Sequence, residues 1–343
     1  MKLSIVIICW NDLKVITDCL KSIYGQEHQT SFEVLVSDNG SADGSVEFVR
    51  ANYPRVKILE NGANLGFARA NNVGIRAASG EYVLILNPDT IVHEGAIDKW
   101  IAFAEKHPEA GAFGCNVRNA DGTFHTPAQT FPTLTRLWIG ALGLGWLGYL
   151  SDTLCSGEYR GWDGSTERAI DWQSGCCVLF RGKLLQELRG FDERFFYNFE
   201  ETDLCKRVWQ SGHSILYTPA PLVTHLWGQS TNKFPIRFAI EKLRNRYRYF
   251  HKHYGVQSLP RCRRATLAAL RTRQLLYGLK KLLKSNEGLV NRMAMYRVLI
   301  EWNQRLDPVR FIEQGEEPDL GYAPLTAPPV PQGAEPSPVA PPA

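Results

Sequence analysis

Four short apolar runs, separated by segments with helical spacing, fill the first 86 residues and constrain the fold more than anything else in the chain. Leu3–Trp10 (LSIVIICW) is almost continuously apolar, as a strand buried on both faces should be, and Asn11-Asp12 ends it. Leu13–Tyr24 repeats apolar residues at Val15, Ile16, Leu20 and Ile23, the spacing of a helix with one covered face. Phe32–Ser37, Val56–Leu59 and Tyr82–Leu86 read as further strands, with helices over Ser45–Asn52 and Ala68–Ala78 between them. This alternation predicts an α/β fold with a mainly parallel sheet covered by helices. Its ligand-binding loops should follow the C-terminal ends of the strands.

The second half is less regular. Ala112–Arg118, Cys176–Phe180, Ser214–Tyr217 and Leu222–His225 read as strands, Gly182–Leu188 and Glu201–Gln210 as helices. From Arg237 to about Tyr254, and from Ala265 to about Gln304, the pattern is helical and basic. The Pro/Ala-rich stretch after Gln314 is expected to be disordered. No internal repeat is evident.

A formal charge of +4 conceals a strong asymmetry. Ile236–Arg310 holds 18 Lys and Arg against 4 Asp and Glu, whereas residues 1–235 carry a net −5. Such a basic arm suits anionic lipid head groups, nucleic acid or a phosphorylated acceptor. Nothing resembles a nucleic-acid recognition module, so no nucleic-acid partner is expected. The 8 cysteines include no CxxC pair, and burial as free thiols in a reducing cytosol is the expectation. The N-terminal apolar run stops too early and lacks a small-residue cleavage site, so it is read as a strand and not a signal peptide. No window reaches the roughly 20 apolar residues that span a bilayer. The uncharged run Leu137–Leu150 is too short and too glycine-rich.

Several segments carry residues suited to chemistry. Asp38, at the end of the second strand and the start of DNGSADGS, can accept hydrogen bonds from a base or ribose. The competing reading is a turn in which Asp43 or Ser45 caps the next helix. Asn64-Leu65-Gly66-Phe67-Ala68, leading to Asn71-Asn72, offers glycine for close backbone approach and a helix start for phosphate, or else an ordinary capped loop. Asn87-Pro88-Asp89 follows a buried strand and can hold a divalent ion against a diphosphate, although an Asx-Pro turn is common. Phe199-Glu200-Glu201-Thr202-Asp203 opens a helix, where acids favour the dipole. Three acids after Phe195-Phe196-Tyr197 exceed what a cap needs, and apolar rings raise a carboxyl pKa toward that of a general base. His225, before Trp227-Gly228, becomes a ligand candidate only in this company. Gly143–Gly148 matches GxGxxG but joins no strand to a helix, so it is not taken as a dinucleotide motif. It is read instead as a flap or interfacial segment near the acceptor.

Taken in order, SIVIICWN, DNGSADGS, NLGFARANNVG, GEYVLILNPD, SGCCVLFRGKLL, GFDERFFYNFEETDLCKRVWQSG and VTHLWGQS resemble the family-2 glycosyltransferases of the GT-A fold, especially the bacterial rhamnosyltransferase-like branch, from Leu3 to about Gly255. The resemblance implies that Asp38 contacts the nucleotide base, with backbone near Ile8 to Trp10 lining the same pocket. It places Gly66, Phe67 and Asn72 along the nucleotide or donor sugar, and Trp172, Ser174 and Gly175 at the donor–acceptor junction. Asn87-Pro88-Asp89 stands for the family's Asp-x-Asp, so Asp89 should bind Mg²⁺ or Mn²⁺, Asn87 should face the ribose, and His225 should add a second contact to the ion or diphosphate. The family base corresponds to Glu201, a Glu where Asp is usual, which leaves Glu200 and Asp203 as alternatives.

The implied reaction is inverting transfer from a nucleotide-diphospho-sugar to a hydroxyl of a glycan or lipid-linked glycan, in cell-surface polysaccharide biosynthesis. The implied place is the cytoplasm, with the basic arm either packed on the catalytic domain or peripheral on the inner face of an anionic membrane. The rival is a GT-A-like protein that binds nucleotide sugars without catalysis. Three regions are expected: a catalytic domain over 1–255, a basic helical region over 256–314 and a Pro/Ala-rich tail over 315–343.

Overall fold

In the computed structural model, which describes residues 1–226, 235–283, 287–318 and 320, the predicted alternation is present. The chain runs β1 (Leu3–Cys9), α1 (Leu13–Tyr24), β2 (Phe32–Asp38), α2 (Ser45–Asn52), β3 (Lys57–Glu60), α3 (Gly66–Ala77) and β4 (Tyr82–Leu86). Then come β5 (Thr90–Val92), α4 (Ala96–Lys106), β6 (Ala110–Asn119), β7 (Phe124–His125), β8 (Ala128–Gln129) and α5 (Leu134–Ala141). β9 (Arg168–Ala169), β10 (Trp172–Gln173), β11 (Cys177–Arg181), α6 (Gly182–Glu187), α7 (Glu200–Gln210) and β12 (Ser214–His225) follow. The C-terminal part is helical: α8 (Pro235–Tyr254), α9 (Leu259–Leu283), α10 (Glu287–Arg305) and α11 (Pro308–Gln314).

The main sheet has the order β3-β2-β1-β4-β11-β6-β12-β5. β1 pairs in parallel with β2 and β4, and β2 with β3, whereas β11 runs antiparallel between β4 and β6. Residues alternate between faces along a strand, so one strand feeds two cores. Ile5 and Ile7 join Ile16, Leu20 and Trp100 on the α1–α4 side. Val6 joins Ala68, Ile75 and Leu185 on the other. α3 lies so close to β1 that a Cβ on Gly74 would meet the Val6 side chain at 2.3 Å. This double coverage explains why β1 shows no polar alternation in sequence.

The two strands expected over Ser214–Tyr217 and Leu222–His225 are one strand, β12, whose register with β6 shifts between Tyr217 and Leu222. Pro219 and Pro221 fall in that shift, where prolines cannot donate ladder hydrogen bonds. The long helical stretch expected over Ala265–Gln304 is two helices, α9 and α10, packed together.

The GxGxxG segment falls on a 3₁₀ turn, Leu144–Tyr149, after α5 and not within a βαβ unit. The cysteines are all free and buried. Among the described residues, no helix is long and apolar enough to cross a membrane. The stretch expected to be disordered lies, from residue 321 on, outside the described residues. Its first residues are described, and there Glu317 meets Arg244 at 2.6 Å.

A third apolar cluster joins α8–α11 to the catalytic part: Leu243, Tyr247, Phe250, Leu270, Leu299 and Trp302 pack with Phe195 and Phe199. The two phenylalanines flank the loop that enters α7. The helical part is thereby fixed against the acids at the start of that helix.

Candidate active site

The C-terminal ends of β1, β2 and β4 and the loop before β11 open into a cavity of about 350 Å³. Ile8, Trp10, Asn39, Gly66, Phe67, Asn87, Asp89, Ser174, Gly175, Glu200, Glu201 and His225 are among its walls. The β1–α1 and β2–α2 loops are tied together, since Asn11 N–H donates to Ser41 Oγ at 2.9 Å and Ala42 N–H to Asn11 Oδ1 at 2.8 Å. Gly66 is required twice over. Its φ is +78°, and a Cβ there would meet the Phe196 ring at 2.8 Å.

Asp89, just before β5, and His225, at the end of β12, meet where those two strands pair, with His225 Nε2 3.0 Å from Asp89 Oδ1. The backbone fixes this approach, because Leu226 N–H donates to the Asp89 carbonyl at 2.9 Å. Burial alone would lower the His225 pKa, but the Asp89 carboxylate and the neighbouring Cys176 reverse this and raise it to about 10.

α7 enters the same cavity with Glu200 and Glu201, and one oxygen of each, Oε2, is buried without a hydrogen-bond partner among the described residues. Burial raises both pKa values; the Glu201 charge adds to the effect at Glu200, while nearby Lys242 opposes it at Glu201. The two residues before them, Asn198 and Phe199, are both left-handed, with φ of 65° and 76°. Such backbone costs about 1–3 kcal/mol per residue and persists only where its surroundings hold it. Here Asn245 of α8, fully buried, donates its amide to the carbonyls of Tyr197 (2.8 Å) and Asn198 (3.1 Å).

The profile for glycosyl transferase family 2 matches residues 4–188, more than half of the chain. The chain belongs to that family. This glycosyltransferase is 35% identical over 215 residues to the N-acetylglucosaminyl-diphospho-decaprenol L-rhamnosyltransferase of Mycobacterium tuberculosis, covering 59% of its own length and 69% of the relative's. It is 23% identical over 227 residues to the rhamnosyltransferase WbbL of Escherichia coli, covering 64% and 81%. Among solved structures it resembles the mannosyltransferase PcManGT from Pyrobaculum calidifontis, in complex with GDP-Man and Mn²⁺. That match has a TM-score of 0.55, 16% identity, and covers 92% of this chain and 88% of the other. The fold is GT-A.

Several residues expected at the site of this glycosyltransferase are placed elsewhere. Asp38 is buried and does not line the cavity; its carboxylate accepts from the N–H groups of Gly40 (2.9 Å) and Ser41 (3.1 Å), which makes it a turn residue. Asn72 is buried on α3, where its amide clamps Phe191 and Glu193 and does not line the cavity. Trp172 donates to the Thr130 carbonyl at 3.1 Å, outside the cavity lining. Asp203, weighed as an alternative base, is fully buried away from the cavity. Its carboxylate meets Arg207 (2.8 Å), Lys252 (2.7 Å) and His253 (2.8 Å). Burial would raise its pKa, but the His253 hydrogen bond and the Arg207 and Lys252 charges hold it below the ordinary aspartate value. Trp227 and Gly228 lie outside the described residues.

Other wall residues had no sequence signal of their own. Asp12 and Asn198 reach the cavity from loops, and Phe238 from α8. Asn39 and Asn64 bond each other at 3.3 Å, a pairing that only the folded loops create. As to a metal, the described residues hold no cluster of three or more His, Cys, Asp or Glu suited to an ion. The Asp89 carboxylate is nonetheless a fitting ligand for Mg²⁺ or Mn²⁺, which commonly take few protein ligands and complete their shell with water and substrate phosphate, and the His225 ring beside it would join only on giving up its proton.

Proposed function

We propose that this glycosyltransferase transfers a sugar from a nucleotide-diphospho-sugar to a hydroxyl of a glycan or lipid-linked glycan, with inversion, during surface polysaccharide synthesis. Rhamnose is the favoured sugar, on the strength of the two rhamnosyltransferases above. The observation that carries the reading is that Glu201 and Asp89 line one and the same cavity.

The roles follow from chemistry and placement. Asn87, Asp89 and His225 form the wall for the donor's diphosphate, with Mg²⁺ or Mn²⁺ held by Asp89, and by His225 once its ring has given up a proton. When bound, such an ion supplies Lewis-acid stabilisation of charge on the leaving group. Ile8, Trp10, Gly66 and Phe67 flank the nucleotide and donor sugar, and Ser174 and Gly175 the junction with the acceptor. Two adjacent buried carboxyls do not ionise equally. Burial, then the Glu201 charge, raises Glu200, while at Glu201 backbone N–H groups and Lys242 oppose burial, which favours the charged form at Glu201 over Glu200. Glu201 is thus the base that takes the proton of the attacking acceptor hydroxyl. A single displacement needs no covalent enzyme intermediate. The buried free thiols support action in the reducing cytoplasm.

A panel of nucleotide sugars, assayed for transfer and for donor hydrolysis with and without chelator, tests the reading. Turnover of one donor that chelation abolishes is the expected result. Donor binding without turnover of any kind would favour the rival, a sugar-nucleotide binder without catalysis.

A further inference from the structure

α8 carries two kinds of cation. Arg244 and Arg248 are neutralised: Arg244 meets Glu241 at 3.0 Å and Glu317 at 2.6 Å, and Arg248 meets Glu241 at 3.1 Å. Phe238, Lys242 and Arg246 follow one another at i, i+4 and i+8 on a different face. Phe238 lines the catalytic cavity, so this face leads away from its mouth. Among the described residues, neither Lys242 nor Arg246 has a carboxylate at ion-pair distance, and neither has Arg273, which α9 brings up beside them. Arg246 donates through Nη1 to Thr266 Oγ1 at 3.2 Å, while its buried Nε has no partner. Like charges at i, i+4 repel, and partial burial sharpens the repulsion. An anion lodged among the three relieves it, and phosphate oxygens suit Arg and Lys donors.

We propose that Lys242, Arg246 and Arg273 form an acceptor-side anion site, which takes the phosphate or diphosphate through which the acceptor sugar is carried. The proposal rests on the glycosyltransfer reading and adds the acceptor class to it. Two features set this site apart from the donor's diphosphate wall. The cations lie on α8 and α9, close enough for Lys242 to act on the Glu201 carboxyl, whereas Asp89 and His225 stand where β5 pairs with β12. Just past Arg273, α9 exposes Leu275, Leu276 and Leu279, each half or more open to solvent, an apolar exit that fits a prenyl chain on the far side of the phosphate.

The test compares KM and kcat of the full chain for acceptors bearing the same sugar as an alkyl glycoside, as a methyl diphosphate ester and as a prenyl diphosphate ester. Both diphosphates should show KM values about tenfold or more below that of the glycoside, consistent with charge-assisted hydrogen bonds. A further drop for the prenyl ester over the methyl ester assigns the phosphate to a lipid carrier; equal values assign it to a soluble sugar phosphate. The double variant Lys242→Gln/Arg273→Gln should lower kcat for both acceptors alike, through the lost Lys242 charge near Glu201, and bring the KM ratio of glycoside to diphosphate close to one. A ratio that the variant leaves unchanged, or no preference for phosphate in the wild type, overturns the site. Should no acceptor be glycosylated, it is the functional reading that fails. The anion site then stands on inorganic pyrophosphate with chelator present, which should raise the wild-type Tm at least twice as much as the variant's; equal shifts overturn it.

Discussion

Asp203→Asn separates a structural acid from a catalytic one. Asp203 is fully buried and meets Arg207, Lys252 and His253 at 2.7–2.8 Å. Removing its charge strands two cations, Arg207 and Lys252, and weakens the His253 hydrogen bond, and breaking a buried pair costs about 3–5 kcal/mol. Two of the partners keep other acceptors: Lys252 meets Asp192 at 2.7 Å, and Arg207 donates to the carbonyls of Leu188 and Gly190. The loss should therefore fall near the lower end, about 3 kcal/mol, or roughly 6 °C in Tm for a chain of this size. The pH dependence has a definite sign. A carboxyl whose pKa is depressed by folding stabilises the protein above its unfolded pKa and loses that contribution as pH falls through the folded value. The wild type's advantage over Asp203→Asn should be complete at neutral pH and shrink below about pH 4, the ordinary range of aspartate. Calorimetric melts at pH 7 and pH 3.5, paired with transfer assays at 15 °C, measure both. An unchanged Tm with turnover reduced a hundredfold would refute the reasoning and return Asp203 to the chemistry.

Three other substitutions probe the cavity. Glu201→Gln should lower turnover about 10²–10⁴-fold with donor affinity retained, the range for loss of a general base; near-normal turnover would move the base to another group. Asp89→Ala should weaken nucleotide binding in calorimetry with Mg²⁺ or Mn²⁺ present and have little effect under chelation. Gly66→Ala places a Cβ 2.8 Å from the Phe196 ring at a φ of +78°, so Tm and transfer should fall together; a fully active, equally stable variant would show that the loop is not constrained there.

Much of the fold was legible because the first half obeys simple periods. β1 and β4 are covered on both faces and so read as unbroken apolar runs, and α1 and α3 keep the helical spacing. α4 was left unassigned, although Ile97, Trp100, Ile101 and Ala104 repeat at helical intervals and are buried. β12 looked like two strands because its prolines interrupt the pattern where the register shifts. At the site, residues that directly follow strands or open a helix, such as Asp89 and Glu201, announced themselves. Asp38 shows the limit of that logic, because a carboxylate at a strand's mouth can satisfy its own turn. Asn39 and Asn64 lay in segments singled out for chemistry, but neither their mutual bond nor the part of Asn245 could be read, since the partners lie 25 to 48 residues away and meet only after folding.

The amide of Asn245 ties the C-terminal helices to the loop that enters α7. It props the left-handed pair that presents both glutamates, and it is itself seated by packing with α9 and α10. Chimeras that graft this helical segment from a relative should therefore shift the reactive carboxyl even when every wall residue is preserved. A truncated catalytic half, though it keeps the whole sheet, would present its glutamates on an unbraced loop.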